Sequence, residues 1–448
     1  MIQAFRRSPY DREIVRIGLP ALGALAADPL VSLVDTAFIG RLGAVALAAV
    51  AIASAIYAAV FAVFNFLEYA ATPLIAQSIG AGDRDDAGRI TVAALAISVV
   101  GGVVAAVGLI VLSEPLLRAF GAGPHVLEIA VTYLRIRALG VPALLVILVG
   151  HGAFRGYQDT RTPLMVTLGL NAVNLVLDPI LIFGLDWGVA GAAWATVVAQ
   201  WFGAAWFLAL FFWTRRIELA IGFGRPQRGA IGSLAGAGKA LIFRNASLLG
   251  TLTVATVVAS RVGTAAVAAH QIAMQLWIFM ALVIDAFAIA GQAIVGKELG
   301  ADDPGVARAV SNRLLALGVS FGVLLSIGLS AIAPWLGSWF TSEEAVLVAF
   351  ASILPILIVV QPINGVVFVW DGIAIGAAAF SVLAWSTLAA SVAAIAFLIV
   401  VIPFGWGLVG VWTGIVVLML VRAMTLWWWY GFRFAVPERD PSPSSPGA

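Results

Sequence analysis

The sequence predicts an all-α polytopic membrane protein, with twelve transmembrane helices in two parallel-repeat bundles of six. Three observations carry that prediction. The chain is 62% hydrophobic and only 11% charged, and a soluble chain of 448 residues needs far more charge to cover its surface. Apolar runs long enough to cross a bilayer recur from end to end. The second half also repeats the first. GRLGAVALAAVAIA from Gly40 aligns with SRVGTAAVAAHQIA from Ser260, pairing Arg41 with Arg261 and Gly43 with Gly263 at an offset of 220. The register holds through AQSIGAGD (Ala76–Asp83) against GKELGADD (Gly296–Asp303), and WGVAG at Trp187 meets WGLVG at Trp406 at an offset of 219. Each half holds an even number of spans, so both enter from the same side. The repeat is then parallel, and a cavity is expected between the bundles.

The spans follow in order. The first, 14–39, comes after Arg6, Arg7, Arg12 and Arg16 and is too long for a signal h-region, so it is expected to be retained. The second, 47–77, exceeds the roughly 20 residues that cross a bilayer and is expected to tilt, bend or protrude. Spans 90–112, 127–153, 163–184 and 188–213 complete an amino-terminal bundle, 1–213. The stretch 214–238, with Gly, Pro and several Arg, reads as a cytoplasmic linker. Spans 233–259, 266–295, 307–333, 346–370, 381–403 and 408–434 form the carboxy-terminal bundle, taken as 239–434, and 435–448 reads as a disordered tail. Twenty of the Lys and Arg residues fall on the side of the termini and five on the other. The positive-inside rule then makes both termini cytoplasmic, in the cell (inner or plasma) membrane.

Several classes are excluded or disfavoured. A net charge of +2 gives no sign of a nucleic-acid partner. With no cysteine, there is no disulfide, thiolate metal site or cysteine nucleophile. No HExxH or GxSxG is present, so an enzyme is not expected. Aromatic residues such as Trp427, Trp428, Trp429 and Tyr430 fit an interfacial belt.

The polar residues inside the spans need explaining. A carboxylate at bilayer depth is costly, so it usually faces a protein cavity and has a function there. Asp35 lies in the first span, and its repeat partner is Ala255. An acid needed by the repeat fold would appear in both halves, so Asp35 reads as functional. Asp28, Ser32 and Asp35 share one face at i, i+4 and i+7; Asp28 precedes Pro29 and has freed backbone groups to satisfy as its alternative role. In the fifth span Asn171, Asn174 and Asp178 share a face, and Pro179 places a kink at the acid. Asn174 is placed to donate to Asp178 or to share an ion with it. Thr196 and Gln200, one turn apart in the sixth span, read alone as helix-to-helix hydrogen bonds. Asn65 and Glu68 lie deep in the second span, and Asp285 is the repeat partner of Asn65, so that position faces a cavity or packs in both halves. Asp371 is expected at the cytoplasmic end of the tenth span, near water, where it can cap the turn at Gly372. His151 and His270 are read as ordinary residues near helix ends.

Together the motifs resemble the multidrug and toxic compound extrusion (MATE) transporters over nearly the whole chain. LPALGALAADPLVSLVDTAFIGRLG, TPLIAQSIGAGD, FRGYQDTRTP, NLVLDP and GVAGAAWAT are similar to the DinF-like branch. The resemblance implies that Asp35, Asn174, Asp178 and Thr196 form the cation or proton site of the amino-terminal lobe, and that the first helix bends at Pro20. NorM-like members carry an acid in span 7, which has none here at depth. Asp28 matches nothing in the family pattern. The implied function is a secondary antiporter, exporting organic and often cationic amphipaths in exchange for H⁺ or Na⁺ as two bundles rock. Burial disfavours the charged form of an acid, and neighbouring acids titrate as a coupled pair. A monovalent ion held by Asp35, Asn174, Asp178 and Thr196 would couple in the same way. No cofactor is expected; the partners are a small-molecule substrate and membrane lipids, and the chain is expected to be a monomer. The alternative is an exporter of lipid-linked or polysaccharide precursors. That reading requires a more cationic central cavity, and the deep charges read as mostly acidic.

Overall fold

The structure is a computed structural model and describes residues 8–222 and 226–434. Arg6, Arg7, Arg225, Arg439 and the tail expected at 435–448 lie outside those residues. Twelve long apolar helical segments run back and forth. The first half holds α1 (Asp11–Gly40), α2 (Ala44–Gly80), α3 (Arg84–Ala119), α4 (Pro124–Ala138 and Val141–Gly156), α5 (Arg161–Gly184) and α6 (Gly188–Thr214). The second holds α7 (Arg228–Val262), α8 (Thr264–Gly300), α9 (Pro304–Trp339), α10 (Glu344–Val359 and Gln361–Gly376), α11 (Phe380–Val401) and α12 (Gly407–Phe432). Both described ends therefore lie on one face, here called the terminal face. Helix α7 begins at Arg228, so the connection read over 214–238 is partly helical.

Local chemistry repeats with the sequence. The side chains of Asp83 and Asp303 cap α3 and α9 by accepting from Asp86 N and Val306 N. Helices α4 and α10 break at equivalent points and bend by 48° and 53°. Pro142 and Pro362 follow those breaks, where a missing N–H interrupts the helical ladder. Helix α2 breaks at Asn65, whose carbonyl accepts from Glu68 N and Tyr69 N; its repeat partner Asp285 lies inside an unbroken α8. Helix α1 passes through Pro20 and Pro29 without a break, so the bend expected at Pro20 is not an interruption in this structure. At Pro179 the kink takes the form of a π-helical turn, Ile180–Gly184. Outward-facing Val100, Val104, Val111, Leu30 and Trp385 leave an apolar exterior suited to lipid.

The halves meet most closely on the terminal face. Gly80 and Gly300 end α2 and α8 as repeat partners, and their backbones cross there. A Cβ on Gly80 would lie 1.9 Å from the Lys297 carbonyl oxygen, and one on Gly300 would lie 2.0 Å from that of Gln77. Gln77 Nε2 donates to Gly376 O at 3.0 Å and Gln158 Nε2 to Ala293 O at 2.8 Å. Arg313 holds Asp11 through two bonds of 2.6 and 2.8 Å. These bonds all join one half to the other, so the halves are closed together on this face.

Candidate functional site

The cavity holding the predicted acids lies inside the first half, the lobe to which the family resemblance assigns them. It has a volume of about 300 Å³ and is walled by α1, α2, α4, α5 and α6. Asp28, Asp35, Asn171, Asn174, Thr196 and Gln200 all line it, so three helices, α1, α5 and α6, bring these sequence-predicted polar residues to one space. Asp178 lies behind that lining and is only 1% exposed. The Asp35 and Asp178 carboxyls meet at hydrogen-bonding range, across a gap of 143 residues in sequence. Asn174 Nδ2 donates to Asp178 Oδ2 at 3.3 Å, as the one-turn spacing suggested. Asp35 Oδ1 and Asp178 Oδ1 are buried and have no other partner. Buried polar atoms are normally satisfied, so two neighbouring carboxyls that each keep an unpartnered buried oxygen suit a small cation or proton.

The rest of the lining is tethered. Asp28 Oδ1 accepts from Asn171 Nδ2 at 2.9 Å, so Asp28 joins α1 to α5 rather than repairing the backbone beside Pro29. Thr196 Oγ1 donates to Ala192 O at 3.0 Å and keeps its lone pairs free to accept. Gln200 accepts from Arg137 and from the Tyr57 hydroxyl.

Some functional candidates escaped the sequence reading. Arg137 sits among the cavity walls. Its position thirteen residues into α4 is the missed signal, because a charge so far inside a span is intramembrane. His151 also lines the cavity, with Nε2 at 3.2 Å from Thr167 Oγ1. His270 is fully buried, with Nε2 at 3.1 Å from Thr256 Oγ1.

Three expectations are corrected nearer the centre of the molecule. Asp371 is 4% exposed and does not sit in water; Gly372 continues the same helix, so there is no turn to cap. Instead Arg244 and Arg422 both donate to Asp371 Oδ2, the first at 2.5 Å. Glu68 does not line the acid cavity and is ion-paired with Arg155 inside the first half. The deep charges are therefore not mostly acidic: Arg155, Arg244 and Arg422 lie within helices and compensate buried acids. Asp285 sits within electrostatic reach of Asp371 and all three arginines, so the cluster reaches across both halves. The sequence concealed this because each arginine is matched by an acid on another helix of its own half, a pairing that only the packing shows.

Twelve helices in two repeated halves, with an unpaired acid pair in one of them, define a membrane transporter. The chain belongs to the MatE family, whose sequence profile matches residues 20–180 and again 240–404, once in each half. It is 34% identical to Protein DETOXIFICATION 43 of Arabidopsis thaliana, over 94% of this chain and 90% of that one. It is 29% identical to DNA damage-inducible protein F of Escherichia coli, over 93% and 91% of the two chains, in keeping with its DinF-like motifs. Its backbone is similar to a crystal structure of a MATE protein in the straight conformation, with TM-score 0.86 at 23% identity, covering 97% of this chain and 98% of that one.

Proposed function

We propose that the chain is a proton-driven exporter of organic, amphipathic and often cationic compounds from the cytoplasm. It would act as a monomer in the cell membrane with both termini cytoplasmic. The observation that carries this reading is the approach of the Asp35 and Asp178 carboxyls, each of which keeps a buried Oδ1 without a hydrogen-bond partner. Two ionised carboxylates in contact repel one another, so such a pair is suited to holding one proton between its oxygens. The lining also presents Val31, Val50, Leu144 and Leu170, apolar surface that an amphipath can occupy. Substrate and proton then compete for the same half, which is the condition for antiport. Rocking of the halves would open the terminal face and expose the cavity to the other side.

Na⁺ is the second candidate ion. Asp35, Asp178, Asn174 and Thr196 would supply oxygens for it, but only two of the four carry a charge. Carboxyls in mutual contact also leave less room for an ion between them than for a proton. The lipid-linked precursor reading draws on Arg155, Arg244 and Arg422, which suit an anionic headgroup; Arg155 is already paired with Glu68, and Arg244 and Arg422 share Asp371.

The test is export of ethidium from proteoliposomes under separately imposed pH and Na⁺ gradients. Export driven by the pH gradient and lost in Asp35→Asn is expected. Export driven by Na⁺ alone would replace the proton with sodium. No gradient-driven export by folded protein would shift the reading to a lipid-linked or anionic substrate.

A further inference from the structure

The cavity of the first half contains a fixed cation as well as acids. Arg137 projects from the first segment of α4, two residues before the break at Leu139. Its guanidinium stacks on Tyr57, with the Arg137 Cζ 4.3 Å from the ring centroid, and Nη1 donates to Gln200 Oε1 at 3.2 Å. Tyr57 and Gln200 come from α2 and α6, so three helices hold one guanidinium in place. Its charge acts on both Asp35 and Asp178.

The internal repeat shows what this arrangement is for. In the second half the partners of Asp35, Tyr57, Arg137 and Gln200 are Ala255, Trp277, Leu357 and Met419, all buried and apolar or aromatic. A guanidinium needed by the six-helix fold would recur there. It is absent where the acids are absent, so it goes with the acids and not with the architecture.

We propose that Arg137 is the built-in countercharge of the acid pair, present so that the pair can release its proton without taking up a metal ion. A fixed cation in a low-dielectric cavity stabilises carboxylates that have lost their proton. It also repels a metal cation entering the same space, and so sets proton against sodium. Clamping by Tyr57 and Gln200 keeps the guanidinium from collapsing onto the acids and closing the site permanently. This inference rests on the proton-coupled reading above. The other ionisable groups facing the pair and Arg137 are Asp28 from α1, Tyr57 from α2, and Tyr133 and His151 from α4; α6 presents only neutral Thr196 and Gln200.

The test reads protonation directly and needs no known substrate. The infrared carbonyl stretch of protonated carboxyls is followed against pH in purified, lipid-reconstituted protein, and the pair's band is assigned by its loss in Asp178→Asn. Arg137→Gln removes the charge and should move the midpoint of proton release upward by about one pH unit. Arg137→Lys keeps the charge and should leave the midpoint near that of the wild type. Arg137→Leu, the side chain that the second half carries at the equivalent Leu357, also removes the charge and should move the midpoint as Arg137→Gln does, which serves if the latter fails to fold. A midpoint unchanged in the charge-removing variants, or shifted equally by Arg137→Lys, overturns the proposal. If Asp35→Asn retains pH-driven export, the proton-coupled reading itself is wrong. Loss of export in Asp35→Asn with an unmoved midpoint in Arg137→Gln overturns only the role of Arg137.

Discussion

Closure of the terminal face depends on two glycines, and adding one methyl group to each tests whether that closure belongs to a transport cycle. In Gly80→Ala the new Cβ would lie 1.9 Å from the Lys297 carbonyl oxygen and 2.8 Å from Ala301 N. An ordinary carbon–oxygen contact is about 3.3–3.6 Å, so α2 and α8 must part by roughly 1.5 Å or more at the crossing. Both obstructing atoms are backbone, so no side chain can rotate away. Overpacking of this kind costs about 1–3 kcal/mol, and here it falls only on the state in which the two helices cross. That cost is about a 5- to 150-fold change in the ratio of two access states. Gly300→Ala should act alike, because its Cβ meets the Gln77 carbonyl oxygen at 2.0 Å. The chain has no cysteine, so a single Cys reports cleanly on access. Ala293 is fully buried near the crossing, and its carbonyl accepts from Gln158 of the other half. Ala293→Cys should react slowly with an impermeant maleimide offered from the terminal side. Adding Gly80→Ala should raise the labelling rate severalfold or more, with gradient-driven export reduced. Labelling at the parent rate by a folded Gly80→Ala protein would refute the reasoning, because the crossing would then not be what closes the face.

Other predictions follow from the same geometry. Asp178→Asn should abolish pH-driven ethidium export while leaving thermal stability within about 1 kcal/mol, because the amide replaces the carboxyl with little change of volume; full export in the variant would remove Asp178 from the coupling. Asp371→Ala leaves Arg244 and Arg422 buried without their shared partner and should destabilise the protein by about 3–5 kcal/mol, read as a fall in the melting temperature in detergent. Asn171→Ala unties Asp28 from α5 and should cost about 0.5–1.5 kcal/mol, the net worth of one hydrogen bond to a solvent-accessible carboxylate, measured in the same way. On the terminal face, burial works against the charge of Asp159, but hydrogen bonds from Arg215 and Thr162 outweigh it and hold that carboxyl below the usual carboxylate range. Arg215 likewise holds Glu218 down. Their stabilisation is thus present above the unfolded carboxylate values of about 4 and lost as pH falls through the lower folded ones. Hydrogen exchange of residues 215–222, corrected for intrinsic rate, should stay protected from about pH 7 to about pH 5 and open below about pH 4. Loss of protection already above about pH 5 would mean that another group controls the segment.

The sequence by itself determined the membrane class, the twelve helices and the parallel repeat, because hydrophobic length and internal periodicity are local properties of the chain. It also singled out Asp35, Asn174 and Asp178, since an acid in an apolar run is conspicuous without any neighbour and its absence from the other half is visible by alignment. The Asn174–Asp178 bond was legible too, because a one-turn spacing brings two side chains to the same face of a helix. The meeting of Asp35 with Asp178 was decided only in three dimensions, as was the clamping of Arg137 by residues of α2 and α6. So was the burial of Arg155, Arg244 and Arg422 against acids on other helices. A helix specifies where each side chain projects from its own axis. Which helix lies opposite, and at what depth, follows from packing over the whole chain. A charge near a helix end therefore looks wet in sequence until a neighbouring helix closes over it.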